Sequence, residues 1–153
     1  MRISIIGTGY VGLVSGACFA EIGHEVICVD HNSEKVEKIN ASESPIYEDE
    51  LDQLLTKHTG KRLIATTNLF DAVINSDLSI IAVGTPFDGN NIDLQYIRLV
   101  SEQIGKALKK KSSYHLVVVK STVVPGTTDD VVLPILTKHS GKKAGSDFGV
   151  GMN

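Results

Sequence analysis

Three glycines and one acid near the start of the chain form its most specific chemical pattern. Gly7, Gly9 and Gly12 stand in the run Gly7-Thr8-Gly9-Tyr10-Val11-Gly12, and Asp30 follows Gly12 by eighteen positions. Glycines at this spacing suit an anionic ligand. The first permits a tight turn, the second lets the backbone approach a diphosphate with no Cβ in the way, and the third lets a helix lie close on the preceding strand. A helix opening near Tyr10 aims unpaired N–H groups and the positive end of its dipole at the same diphosphate.

The pattern means little without the elements that must position it. Ile3, Ile5 and Ile6 form a β-branched run directly before Gly7, which reads as a buried parallel strand. Leu13, Ala17 and Ala20 then follow a helical pattern, closed by Gly23 where a helix C-terminus favours φ > 0. Val26 to Val29 make a second apolar strand, and Asp30 stands at its tip. A carboxylate there accepts hydrogen bonds from an adenosine ribose and repels a 2′-phosphate, so the pattern points to NAD rather than NADP.

With 153 residues, 42% of them hydrophobic and 22% charged, the chain is one globular domain with a single core. A net charge of −3 gives no support to nucleic-acid or membrane-surface binding. Lys109-Lys110-Lys111 and Lys142-Lys143 read as solvated ends of elements. The apolar run from Ile3 to Ile22 is broken by glycines and holds Glu21, which argues against a signal peptide. No run suits a membrane helix, and a soluble, cytoplasmic protein is expected. Cys18 and Cys28 have apolar flanks, read as buried reduced thiols, and five scattered histidines suggest no metal.

Further along, Asn32 or Ser33 can cap a helix over Glu34 to Ile39, in which Lys35 is either a ribose neighbour of Asp30 or a surface lysine. Leu51, Leu54 and Leu55 mark another helix after the loop Ser44-Pro45-Ile46-Tyr47-Glu48. Leu63–Thr66 is a short strand, and Asn68 caps a short helix through Ile74. A buried strand over Leu78 to Val83 ends in Gly84-Thr85-Pro86, at the sheet edge where a doubly wound fold binds ligands, so Thr85 is a candidate cofactor contact. Asp88 to Asn91 is a polar turn, and Asp93 caps a long helix through Leu108. His115 to Val119 is a fully buried strand ending in Lys120-Ser121-Thr122. Thr127 caps a helix bent at Pro134, and Phe148 to Met152 is the sixth strand. Strands alternating with helices imply an α/β Rossmann fold, a doubly wound parallel sheet of order 3-2-1-4-5-6 with helices on both faces.

These residues resemble the nucleotide-sugar 6-dehydrogenases that act on UDP-glucose, GDP-mannose and related sugars. The resemblance rests on MRISIIGTGYVGLVSGACFAEIGHEV, Val29-Asp30 with Lys35, SPIYE at 44–48, VGTP at 83–86, KSTVVPGTT at 120–128 and FGVGMN at 148–153. It implies a four-electron oxidation of the sugar's C6 alcohol to a carboxylate by two NAD in succession. By position, the N–H groups of Tyr10 and Val11 are expected at the diphosphate, Asp30 and Lys35 at the ribose, and Thr85 at the cofactor. Thr122 is expected to face the active site and help to hold a catalytic water. VGTP and KST argue against a 6-phosphogluconate or 3-hydroxyacyl-CoA type of dehydrogenase.

The resemblance favours UDP-glucose as substrate, with GDP-mannose or another UDP-sugar as the alternative, and a dinucleotide sensor without catalysis as the reading from another class. It further implies that residues 1–153 are an NAD-binding domain only. A linking helix, through which members form homodimers, and a sugar-binding domain with the nucleophilic cysteine are expected beyond it. The stretch alone is then a monomer that binds NAD without turning over sugar. Many members read PIYEPGL where this chain has Pro45-Ile46-Tyr47-Glu48-Asp49-Glu50-Leu51, so its helix cap is expected to differ.

Overall fold

A computed structural model describes residues 1–87 and 89–153; Asp88, at the head of the expected polar turn, lies outside them. Strands β1 (Arg2–Ile6), β2 (Glu25–Val29), β3 (Leu63–Thr66), β4 (Leu78–Ile81), β5 (His115–Val119) and β6 (Phe148–Met152) form one sheet in the order 3-2-1-4-5-6. Every neighbouring pair is parallel, with Ile5 facing Cys28 on one side and Ile80 on the other. This is the Rossmann arrangement expected from the alternation of strands and helices.

Alternating strand residues serve two cores, one on each face of the sheet, where the chain length suggests a single one. Ile3, Ile5, Val26, Cys28 and Ile80 pack beneath α1 (Tyr10–Glu21), α2 (Ser33–Asn40) and α3 (Leu51–His58). Ile6, Val29, Ile81, Val117 and Val119 pack beneath α4 (Leu69–Ile74), α5 (Gln95–Lys110) and α6 (Leu133–Ser140). Small residues set the closest approach: a Cβ on Gly16 of α1 would lie 3.0 Å from the Cys28 sulfur.

Asn32 caps α2 by accepting from the N–H groups of Glu34 and Lys35, and Asn68 caps α4 through the Asp71 N–H. Asp93, the expected cap of α5, accepts from the Gln95 N–H at 2.8 Å, one residue before the N-cap position held by Leu94.

Four further sequence expectations need correction. Cys18 is exposed, because it falls on the outer side of α1; Cys28 alone is buried. Leu116 is 36% exposed rather than buried, because the second set of helices covers only the opposite face of β5. Lys111 is not a solvated helix end. It is buried and donates to the carbonyls of Val73, Ile74 and Ser76, pinning the end of α5 to the turn before β4. Thr127 makes no side-chain cap; its hydroxyl donates to the Val124 carbonyl, and a π-helical turn, Thr128–Val132, leads into α6. Pro134 has no N–H to continue an α-helical ladder there, which is why the widened turn precedes it.

Candidate functional site

Parallel strands bring their carboxyl ends to one edge, where the loops after β1, β2, β4 and β5 meet. Gly7 leaves β1 with φ of +103°, and a Cβ there would lie 2.5 Å from the Ala82 carbonyl oxygen. A Cβ on Gly12 would lie 1.9 Å from the Gly7 carbonyl oxygen. Gly9 differs from both: nothing lies within 4 Å of where its Cβ would be. The outer glycines are walled in by protein, and the middle one is bare.

Gly9 is also the N-cap of α1, which has no side-chain cap and no acidic residue in its first turn. The first helical bond runs from the Leu13 N–H to the Gly9 carbonyl at 2.9 Å. The N–H groups of Tyr10, Val11 and Gly12 therefore have no acceptor within the helix, and they open beside the bare glycine.

Asp30 is buried at the end of β2. Its Oδ2 accepts from both the N–H of Thr8 at 3.0 Å and the hydroxyl of Thr8 at 2.5 Å. Its Oδ1 accepts from the Asn32 N–H at 3.0 Å. Burial by itself would raise the carboxyl pKa. The Thr8 hydroxyl, the N–H groups of Asn32 and Thr8 and the charge of Lys35 outweigh it and hold the group below its ordinary range. Asp30 is thus an ionised carboxylate at neutral pH. Lys35 sits half-buried in the first turn of α2, on the same side of the crevice.

Across the crevice, Thr85 donates its hydroxyl to the Thr122 carbonyl at 2.7 Å, and Ser121 donates to the Val83 carbonyl at 2.7 Å. The loops after β4 and β5 are stitched together by these two bonds. They bound a groove of about 690 Å³ lined by Thr85, Phe87, Ile92, Leu94, Thr122 and Val124. Lys120 reaches across to Asn153 Oδ1 at 2.5 Å, joining the ends of β5 and β6.

Every residue expected at the site from the sequence lies on this edge: Gly7, Gly9, Tyr10, Val11, Gly12, Asp30, Lys35, Thr85 and Thr122. Sequence reasoning passed over Thr8. Its signal was a hydroxyl residue inside the glycine run, next to a strand that ends in an acid. The thiols stand elsewhere. Cys28 is buried, which pushes its pKa up to about 12. Among the described residues no cluster of three metal-ligating side chains occurs, and no helix is long and apolar enough to cross a membrane.

Comparison with known proteins agrees with this geometry. The description "UDP-glucose/GDP-mannose dehydrogenase family, NAD binding domain" matches residues 1–153. A GDP-mannose 6-dehydrogenase of Pseudomonas aeruginosa is 53% identical over 156 residues, which cover 100% of this chain and 36% of the relative. A UDP-glucose 6-dehydrogenase of Haloferax volcanii is 42% identical, again over 100% of this chain and 36% of its own. The crystal structure of a ternary complex of the Pseudomonas aeruginosa GDP-mannose dehydrogenase superposes with a TM-score of 0.97 at 52% identity, covering 100% of this chain and 36% of that one. The chain thus spans about a third of the length of these relatives. Of these two relatives, the one named GDP-mannose 6-dehydrogenase is the more similar to this chain. A full-length match to the family description and a sheet edge shaped around one bare glycine lead to one assignment: this chain belongs to the UDP-glucose/GDP-mannose dehydrogenase family and is an NAD-binding Rossmann domain.

Proposed function

We propose that this chain holds and orients NAD in a nucleotide-sugar 6-dehydrogenase whose substrate is GDP-mannose. One observation carries the binding mode: Gly9 is open where Gly7 and Gly12 are closed, so a diphosphate has a single place to approach. There the N–H groups of Tyr10 and Val11 face its charge. Asp30 and Lys35 take the adenosine ribose, and Asp30 turns away a 2′-phosphate. Thr85 and Thr122 border the groove for the nicotinamide end, with Thr122 exposed to hold a water.

Bound NAD supplies the hydride acceptor, used twice as the C6 alcohol becomes a carboxylate. The thiol chemistry of that oxidation needs an exposed, activated thiolate near the nicotinamide. Cys28 is buried and protonated, and Cys18 lies within a helix away from the carboxyl edge. Residues 1–153 accordingly bind NAD and turn over no sugar alone. The greater identity to the GDP-mannose enzyme than to the UDP-glucose enzyme supports the choice of sugar.

The test is made on the gene product read to its stop codon, measuring NADH formed per sugar nucleotide consumed. Two NADH per GDP-mannose is the expected result. Two per UDP-glucose would move the assignment to that sugar, and none from either, with NAD still bound, would move it to another nucleotide sugar or to a dinucleotide sensor without catalysis.

A further inference from the structure

Thr8 occupies the first variable position of the glycine run and is fully buried. Both of its donors, N–H and hydroxyl, converge on the single oxygen Oδ2 of Asp30. We propose that Thr8 is a positioning residue for dinucleotide recognition: it fixes the Asp30 carboxylate in one orientation and ties it to the diphosphate-binding turn, so that ribose and diphosphate are held as one unit. This rests on the assignment of Asp30 to the ribose.

The accounting of acceptor sites supports it. A carboxylate offers about four lone-pair positions. Thr8 fills two on Oδ2 and the Asn32 N–H fills one on Oδ1, which leaves one on Oδ1 for a ribose hydroxyl. The ring of His31 stands 3.4 Å from Oδ1, but its side chain is 93% exposed and free to swing aside. Thr8 thus decides which oxygen is presented. Without the hydroxyl, Oδ2 keeps one donor, the carboxylate regains rotation, and burial acts on it with less opposition.

Thr8 also sits between Gly7 and Gly9, so any movement of Asp30 is a movement of the diphosphate turn. A merely structural hydroxyl would stabilise the fold without setting the ionisation of the ribose acceptor. The two roles separate in the pH dependence of binding. Ribose recognition needs ionised Asp30, so affinity falls as pH drops through the pKa of Asp30. Losing the Thr8 hydroxyl raises that pKa and starts the fall at higher pH.

The experiment compares NAD binding, NAD being stable in acid where NADH is not, by the unsubstituted chain, Thr8→Val, Thr8→Ser and Asp30→Asn from about pH 3 to 8, with thermal melts alongside. All are made in a His31→Gln background, so that only Asp30 and Lys35 carry charge at the ribose acceptor. Thr8→Val is expected to lose about tenfold in affinity at neutral pH and to shift its acid limb upward, and Thr8→Ser to restore both. If Thr8→Val does not fold, NMR titration of the Asp30 carboxyl carbon in Thr8→Ser and in Thr8→Ala carries the same comparison. Unchanged affinity and an unchanged acid limb in folded Thr8→Val, or an unchanged Asp30 titration in Thr8→Ala, would overturn the role of Thr8 while Asp30→Asn still weakens binding. Full affinity in Asp30→Asn would overturn the ribose assignment itself.

Discussion

The hydroxyl of Thr85 donates to the carbonyl of Thr122 at 2.7 Å, so the loops that follow β4 and β5 close on each other beside the groove. Thr85→Val removes the donor and keeps the shape. The bond lies at the surface, where water can replace it, so the fold is expected to lose no more than about 1 kcal/mol. The loops lose their registry, and NADH affinity is expected to fall several-fold while hydrogen exchange over residues 121–124 accelerates. A large drop in melting temperature with full affinity would make the bond a structural tie only.

Gly9 and Gly12 separate binding from folding. Alanine at Gly12 would drive a methyl group to 1.9 Å from the Gly7 carbonyl oxygen, and backbone cannot yield as a side chain can. Gly12→Ala is expected to destabilise by about 3 kcal/mol or more. Alanine at Gly9 meets nothing within 4 Å, so Gly9→Ala should melt within a few degrees of the unsubstituted chain. Its methyl group occupies the diphosphate's approach, and NADH affinity is expected to fall at least tenfold. Titration and melting of both variants check the contrast, and equal affinity in Gly9→Ala would move the diphosphate elsewhere.

His115 gives the fold a dependence on pH far from the cofactor edge. Its Nδ1 faces the Ser76 carbonyl at 3.1 Å, so that nitrogen carries the proton, and Nε2 accepts from Ser79 at 2.8 Å. Ser4 lies 2.6 Å from Ser79, and Ser76 donates to Ser4, so three buried hydroxyls form a chain that ends on the His115 ring. Burial first, and the nearby Lys111 charge second, lower the His115 pKa to about 4, against the weaker opposing pull of the Ser76 carbonyl and Asp77. A depressed folded pKa stabilises the fold above the unfolded value of 6.5, and that stability is lost as pH falls from there toward about 4. Urea unfolding at pH 7 and pH 4.5 should show a smaller acid loss in His115→Gln than in the unsubstituted chain. Equal losses would exclude His115 as the titrating group.

Much of this was legible in the residues, because the informative signals were local. The six strands follow from apolar runs ended by glycine or polar residues, and the order of the sheet follows from alternation with helices. The glycine run and Asp30 were readable because each residue answers to one backbone requirement. What escaped the sequence depends on neighbours distant in the chain. Lys111 looks like any helix-end lysine until three carbonyls of the Val73–Ser76 turn enclose it. The exposure of Leu116 depends on which face of β5 carries helices, and the partnership of Thr8 with Asp30 spans a helix and a strand.

Glu50 is where the departure from the PIYEPGL pattern becomes a backbone cost. It precedes α3 with φ of +65°, in the left-handed region, and makes no capping bond with its side chain. A side chain there costs roughly 1–2 kcal/mol relative to glycine, and glycine gives back about 0.5–1 kcal/mol through the greater freedom of its unfolded chain. Glu50→Gly is therefore expected to stabilise the domain by about 0.5–1 kcal/mol and raise its melting temperature by a few degrees. Glu50→Ala keeps the Cβ and should give no such gain, which separates backbone relief from removal of a surface charge. Thermal melts of the two variants decide between them: a rise in Glu50→Ala equal to that in Glu50→Gly would locate the cost in the carboxylate rather than in φ.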